Sequence, residues 1–348
     1  MARESDFLPG RNAWVALVLL TLAVGGFSWR AASAGARAAE TAVAAAVFGL
    51  ALLVTLAFTD FRFVQALRNL GRRGGARVWF FPLAVWAVAL VYGAVFARSA
   101  LPLSVLFYGL LPVALAKLAN RLGERPNVGD LLAILAIWFP VELDWISGPP
   151  LPPAKGVIGL GSMLAMPFAL YTFLSVRAVS GVGFRLDFRR EDLKWAVLYF
   201  LAFVPFALAL GLPTGFIRPS TQAPSAARVV LTVVAIFLFT GVPEEVLFRG
   251  LIQNLLAQRL GEQSRWKPVS LVVTSVIFGW AHVNNRVPPL LHWSLGPLGS
   301  LSVPWVYIVL ATIAGVFYGL AYLRTGKVTT AAIVHALVDA TWGLGFSG

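Results

Sequence analysis

The amino-acid sequence predicts an all-α protein, a polytopic bundle of roughly 9–11 transmembrane helices. Three observations lead there. Of the 348 residues, 59% are apolar and 12% charged, with a mean hydropathy of +0.80, whereas soluble chains run about 25% charged. Apolar runs close to the ~20 residues of one crossing recur from end to end. The formal charge of +13 is gathered in short loops between those runs. On a soluble protein it would suggest nucleic acid, but here it reads as a topology signal and no nucleic-acid partner is expected. This composition excludes disorder, and the absence of cysteine excludes disulfides, thiolate metal sites and cysteine nucleophiles.

In chain order the runs are Ala13 to Trp29, Thr41 to Thr59, Val78 to Ala97, Leu101 to Lys117 and Leu131 to Ile146, then Val157 to Val176, Leu193 to Leu212 and Val229 to Leu260. Val269 to His282, Leu301 to Leu323 and Val328 to Phe346 complete them. The fourth, fifth and ninth are short for a crossing, so one or two re-entrant segments are allowed. Ala31 to Glu40 and the Pro/Gly-rich Gly148 to Gly156 read as extramembrane turns. With a cytoplasmic amino terminus, the loops Arg62 to Arg77, Lys117 to Arg125, Arg177 to Lys194, Arg259 to Lys267 and Arg324 to Lys327 fall inside. About 20 basic residues then lie inside and about 7 outside, the asymmetry of the positive-inside rule. The first run is followed by Ala32-Ser33-Ala34, as a signal peptide would be, but Glu4 and Asp6 suit a signal n-region poorly. A retained anchor is the reading adopted.

An ionisable side chain in hydrocarbon costs on the order of 2.5–3.5 kcal/mol even on the mildest scale, so the ones that occur mark function. Three clusters qualify, all in the carboxy-terminal half: Glu244, Glu245 and Arg249; His282; and His335 with Asp339. With a rise of about 1.5 Å per residue from the cytoplasmic ends, these groups lie about 10–24 Å deep, which implies one shared polar cavity. Glu245 and Arg249, four apart, can pair on one helix face. Glu244 lies about 100° around the helix and lacks an obvious local partner, as suits a general base. Pro243, after Thr240-Gly241-Val242, suggests a kink or a fresh helix start. Phe278 and His282, and His335 and Asp339, are also spaced by four. His292, in the loop Asn284 to Ser300, reads as solvated or interfacial, and Glu142 and Asp144 as an interfacial pair.

A carboxylate and a histidine around a small wet cavity can deprotonate water, and a second histidine can stabilise the oxyanion formed when that water attacks a carbonyl. There is no Gly-x-Ser-x-Gly, and Thr240 and Ser275 are poor nucleophile candidates. His282, His335 and a glutamate could alternatively hold zinc with an open position for water; the zincin His-Glu-x-x-His is absent, and no cofactor is favoured. A proton-coupled transporter is a further alternative, in which the same groups would be strung across the membrane rather than gathered.

Glu244-Glu245-Val-Leu-Phe-Arg249, Phe278-Gly-Trp-Ala-His282 and His335-Ala-Leu-Val-Asp339 together resemble, in order, the three motifs of the CAAX prenyl protease and bacteriocin-processing (CPBP, or Abi) membrane proteins, which include the type II CAAX prenyl endopeptidases. The resemblance implies an intramembrane endopeptidase acting on a membrane-associated peptide or protein. By motif position Glu244 and His282 would activate the hydrolytic water, and His335 and Asp339 would form the oxyanion side. Glu245, Arg249 and Phe278 would be structural or orienting. The last motif carries aspartate where the prenyl endopeptidases carry asparagine; an ionised aspartate accepts but cannot donate, so Asp339 is either protonated or orients His335. On this reading residues 191–348 form the protease domain and residues 1–190 are accessory membrane helices. The bilayer is the environment, and the expected location is a bacterial plasma membrane, with the amino terminus cytoplasmic. A non-catalytic bacteriocin-immunity or scaffold protein, and a zinc-dependent form of the same protease, are the alternatives the resemblance leaves.

Overall fold

The structure, a computed structural model, describes residues 9–72, 75–96, 106–143, 145, 160–221, 223–261, 267–294 and 300–347. It is an all-α membrane bundle. Five of the described helices, Asn12–Ser33, Ala38–Ala57, Arg190–Gly211, Ala226–Leu260 and Trp305–Thr325, are long and apolar enough to cross a bilayer. Arg77–Val88, Met163–Val176 and Lys267–Trp280 are shorter apolar helices. The chain divides into two compact units, Met1–Gly181 with Arg185–Asp187, and Val182–Phe184 with Phe188–Gly348. The second turn-rich stretch, 148–156, and Asp144 lie outside the described residues.

In the first unit α1 (Pro9–Ser33) and α2 (Ala38–Ala57) form an antiparallel pair. The expected loop from Ala31 to Glu40 shrinks to four residues, because alanine carries helix on both sides. Phe27 stacks on Phe48 with ring centroids 4.8 Å apart, and Gly49 leaves room for Val24. The basic loop after α2 is largely helical: α3 (Phe61–Arg72) carries Phe61, Val64, Leu67 and Leu70 at three-residue spacing, with Arg62 and Arg68 between. Such an amphipathic helix has an apolar side to bury and a polar side for water, and Val64 is buried. There follow α4 (Phe80–Phe96), α5 (Leu111–Leu122) and α6 (Val128–Glu142). Asn127 caps α6, accepting from the Gly129 amide at 3.0 Å, while Asp130 accepts from the Asn127 amide at 2.9 Å. Gly129 lets α6 approach Ala119 of α5 to near contact, where a Cβ would lie 2.9 Å from the Ala119 Cα. After α7 (Leu160–Leu170), continued by a π-helical stretch Tyr171–Val176, Arg177 donates to Asp130 at 2.7 Å.

In the second unit α8 (Arg190–Gly211), α9 (Ala226–Leu260), α10 (Lys267–Trp280), α11 (Trp305–Thr325) and α12 (Val328–Gly345) pack with α11 as the shared neighbour of α8, α10 and α12. At 35 residues α9 would extend about 52 Å, well beyond the ~30 Å hydrocarbon core. Among the described residues, four short strands complete the unit. β1 (Arg218–Pro219) pairs with β4 (Phe346–Ser347), and β2 (Leu291–Ser294) pairs antiparallel with β3 (Ser300–Val303). His292, expected in an irregular loop, faces Ser302 across that hairpin, its Nδ1 2.9 Å from the Ser302 Oγ. Trp293 beside it is exposed.

Between α11 and α12 the chain turns at Gly326, whose φ of +66° favours a residue without a Cβ. There Lys327 donates to Asp192 at 2.7 Å, and both side chains are nearly inaccessible. Removing one partner strands the other charge, so Lys327→Met is expected to destabilise the protein by about 3 kcal/mol. The measurement is thermal unfolding in detergent. The double change Lys327→Met with Asp192→Asn recovers part of the loss if the pair is the cause.

Candidate active site

The first motif sits in the middle of α9: its two glutamates lie between two π-helical stretches, Phe237–Gly241 and Val246–Gln253, and its arginine lies within the second. The expected fresh start at Pro243 is a local one: Pro243 stands in the first turn of a short α-helical segment, Val242–Glu245, between these stretches, and α9 runs on through it. Pro243 cannot donate to the preceding turn, and the wider i to i+5 hydrogen-bonding pattern around it carries the helix through without ending it. A π turn also holds more residues per revolution than an α turn. Side chains four apart therefore stand more nearly above one another, and Glu245, Arg249 and Gln253 form a buried column. Gly241 lets α9 touch α12, since a Cβ there would lie 2.9 Å from the Ala332 carbonyl oxygen.

Glu245 and Arg249 are wholly buried and pair at 3.1 Å through Nη1 and Oε1. The guanidinium also donates from Nη2 to the Gly315 carbonyl of α11 at 2.9 Å. Its Cζ lies 4.5 Å from the centre of the Phe278 ring and 5.3 Å from that of Tyr318, so aromatic faces supply much of its remaining environment. The same Glu245 Oε1 accepts from His335 Nδ1 at 2.9 Å. One carboxylate thus ties α9 to itself and to α12, with Arg249 tying α9 to α11.

With Nδ1 given to Glu245, the other ring nitrogen of His335 faces the open part of the site. Its Nε2 is 3.3 Å from Asp339 Oδ2 and 3.9 Å from Glu244 Oε2. The Glu244 and Asp339 side chains are about a third exposed (32% and 31%), whereas that of His335 is at 4%, so the cluster has a closed half and an open half. A hydrogen bond between Nε2 and either carboxylate needs a proton between them, carried by the ring or by the carboxyl. Tyr318 stacks on the His335 ring at 4.7 Å and 15°.

His282 lies just past the end of α10 and not within it: the helix closes at Trp280, and the His282 amide bonds back to the Gly279 carbonyl at 3.1 Å. Its Nδ1 is 2.8 Å from the Phe278 carbonyl, which can only accept. The Nδ1 therefore carries the hydrogen, and in the neutral ring Nε2 is the proton acceptor. Phe278 is the hub between the motifs, its ring centroid 4.9 Å from that of His282, 5.9 Å from that of His335 and 4.9 Å from that of Phe248. Tyr307 flanks His282 at 4.9 Å and packs edge-on against Trp342.

All seven residues singled out from the sequence thus fall in one region of the second unit, joined by contacts among themselves. Sequence reasoning missed Tyr318, Tyr307 and Gly315. The tyrosines are lost within an apolar run, but Gly315 and Gly319, four apart, are a readable small-residue signal of close helix packing. His292 and Glu142 are not part of the cluster; Glu142 accepts from the Trp138 indole in the first unit at 3.2 Å. Among the described residues no group of three or more histidine, aspartate and glutamate side chains is arranged to hold a metal ion.

A Cβ on Gly315 would stand 3.1 Å from Arg249 Nη2, 3.2 Å from the Ser275 Cα and 3.3 Å from Phe278 Cδ1. Gly315→Ala is accordingly expected to push Arg249 off its carbonyl and to cost about 1–3 kcal/mol, seen as a lower unfolding temperature in detergent. An unchanged temperature would mean that α10 and α11 separate freely.

Compared with known proteins, residues 226–341 match the family model described as type II CAAX prenyl endopeptidase Rce1-like. No curated protein and no solved structure is significantly similar to the chain. The matched segment runs from the start of α9 to near the end of α12 and contains all three motifs. The resemblance to the CAAX protease family is shown over that segment. It is a family of membrane proteases, and with the five long apolar helices it supports an integral membrane protein.

Proposed function

We propose that the segment matched to the type II CAAX prenyl endopeptidases is an intramembrane endopeptidase in which Glu244 and His282 activate water. The observation that carries the reading is the meeting of the three motifs around Phe278, with the half-open carboxylates of Glu244 and Asp339 on either side of His335 Nε2. In this mechanism a water molecule binds between the Glu244 carboxylate and the unprotonated His282 Nε2 and loses a proton to one of them. The resulting hydroxide attacks the scissile carbonyl. The oxyanion is stabilised by a hydrogen from His335 Nε2, whose ring is held by Glu245 at Nδ1 and by Tyr318 at its face. The proton taken from water passes to the leaving amine as the C–N bond breaks.

Before substrate binds, Asp339 accepts the Nε2 hydrogen of the doubly protonated His335 and so holds the ring from the side opposite Glu245, then yields that hydrogen to the oxyanion, a role that an aspartate fills without donating a hydrogen bond. Arg249 offsets the charge of Glu245, leaving Glu244 to react. The substrate is a peptide in or beside the membrane. Residues 1–190 serve as accessory helices, and the amino terminus is cytoplasmic, following the distribution of basic residues. The mechanism is proposed without a metal.

Purified protein is expected to cleave members of a membrane-peptide library, with Glu244→Gln and His282→Ala each slowing cleavage by about a hundredfold or more while unfolding at the wild-type temperature. His335→Ala falls by about 100-fold to 1,000-fold, and Asp339→Asn, which still fixes the ring, stays within about tenfold of wild type. If wild type and the Glu244 and His282 variants behave alike, catalysis is discarded and the immunity or scaffold role takes its place. Loss of cleavage on treatment with a chelator, restored by zinc, would overturn the metal-free mechanism and keep the protease.

A further inference from the structure

The oxyanion side described above has one donor, His335 Nε2, beside a carboxylate that has no hydrogen to give when ionised: Asp339 Oδ2 stands 3.3 Å from that nitrogen. A single hydrogen bond leaves the rest of a developing oxyanion without a partner, and removal of one fixed donor from such a site typically slows the reaction about a hundredfold to a thousandfold. Several nearby hydroxyls are poorly placed to be a second donor. Tyr318 is buried against the face of the His335 ring. Ser275 and Thr312 already donate to the Leu271 and Ile308 carbonyls of their own helices, both at 2.8 Å.

Tyr307, in the first turn of α11, is placed differently. Its ring is held on three sides, with centroids 4.9 Å from His282, 5.4 Å from Trp342 and 5.7 Å from Phe216. Trp342 stands three residues after Asp339 on α12, one turn along the same face, so the tyrosine bridges the second and third motifs. The side chain is half-buried rather than enclosed. Its hydroxyl is within hydrogen-bond reach of the Asn285 side chain and within electrostatic range of the Glu244 and Asp339 carboxylates. Asn285 is exposed and belongs to the turn that carries His282, its backbone amide donating to the His282 carbonyl at 3.1 Å. An asparagine amide can donate to the phenol oxygen, which leaves the phenol hydrogen for an acceptor in the open half of the cluster.

We propose that Tyr307 is a further catalytic residue of this site, its hydroxyl donating to the scissile carbonyl oxygen together with His335 Nε2. The inference rests on the endopeptidase reading. No bond to the phenol forms or breaks: it keeps its hydrogen throughout and strengthens one hydrogen bond as negative charge gathers on the carbonyl oxygen. Its neutrality suits the position. A lysine or arginine there would pair with Glu244 and occupy the base, whereas a phenol leaves that carboxylate to the water.

The test is steady-state cleavage by the full chain in detergent, with a membrane peptide that the wild type cuts. Tyr307→Phe keeps the ring contacts and is expected to lower kcat by about a hundredfold while leaving KM within about twofold. In the Asp339→Asn background, where the new amide can donate in place of the phenol, the same change is expected to lower kcat by about tenfold or less. Damage to the packing would lower both backgrounds by the same factor, so the comparison reads the donor and not the fold. The proposal is overturned if Tyr307→Phe lowers kcat by less than about tenfold, if its effect lies in KM, or if kcat falls equally in the two backgrounds. In each of those cases loss of cleavage in Glu244→Gln still upholds the endopeptidase reading. If Glu244→Gln and wild type behave alike, that reading falls and the role of Tyr307 falls with it.

Discussion

One oxygen atom organises the second unit. Glu245 Oε1 accepts from Arg249 at 3.1 Å and from His335 at 2.9 Å, with the glutamate and the arginine wholly removed from solvent. An isolated carboxylate at such a position would cost several kcal/mol, and so would an isolated guanidinium. Each is tolerable only because the other is there, and because Gly315 offers a carbonyl and Phe278 and Tyr318 offer ring faces to the arginine. The price is geometric: α9, α11 and α12 are bound at a single depth. The groups that face outward from this knot, Glu244, Asp339 and the far nitrogen of His335, inherit their positions from it.

The division of labour between the two glutamates follows. They are adjacent in sequence, but helix rotation points one inward to the arginine and the other toward the open half of the cluster. Burial separates them: the Glu245 side chain is inaccessible, and that of Glu244 is a third exposed. Two chemically identical residues thereby receive different surroundings. Phe278 plays the corresponding part for the histidines, since its carbonyl orients one imidazole while its ring edge meets the other.

Much of this was legible in the residues themselves. The helical class followed from hydropathy, and the clustering of Glu244, His282 and His335 from the cost of polar groups in hydrocarbon. What was not legible depended on local backbone geometry or on distant partners. Spacing alone places His282 on α10, yet the helix ends two residues earlier, because nothing in an apolar run marks such a stop. Pro243 signals a break, but the π turns that absorb it have no sequence signature. Tyr318 is indistinguishable from its apolar neighbours until His335 is seen lying flat upon it. In the first unit, the arginines of α3 suggest a loop, whereas its apolar residues keep a helical period.

The β2–β3 hairpin leads through Val303 and Pro304 directly into α11, whose first turn carries Tyr307 against His282. Trp293 projects from that hairpin, and an indole settles at the boundary between lipid head groups and acyl chains. At the other end of α11, Arg324 lies over Trp195, a second such marker. In a bilayer the candidate cluster would thus be slung between two floats, its depth set from the lipid surfaces. Under the proposed function, bilayer thickness becomes a control on the reaction: a thinner or thicker host membrane would shift the plane of the cluster without altering a single contact within it.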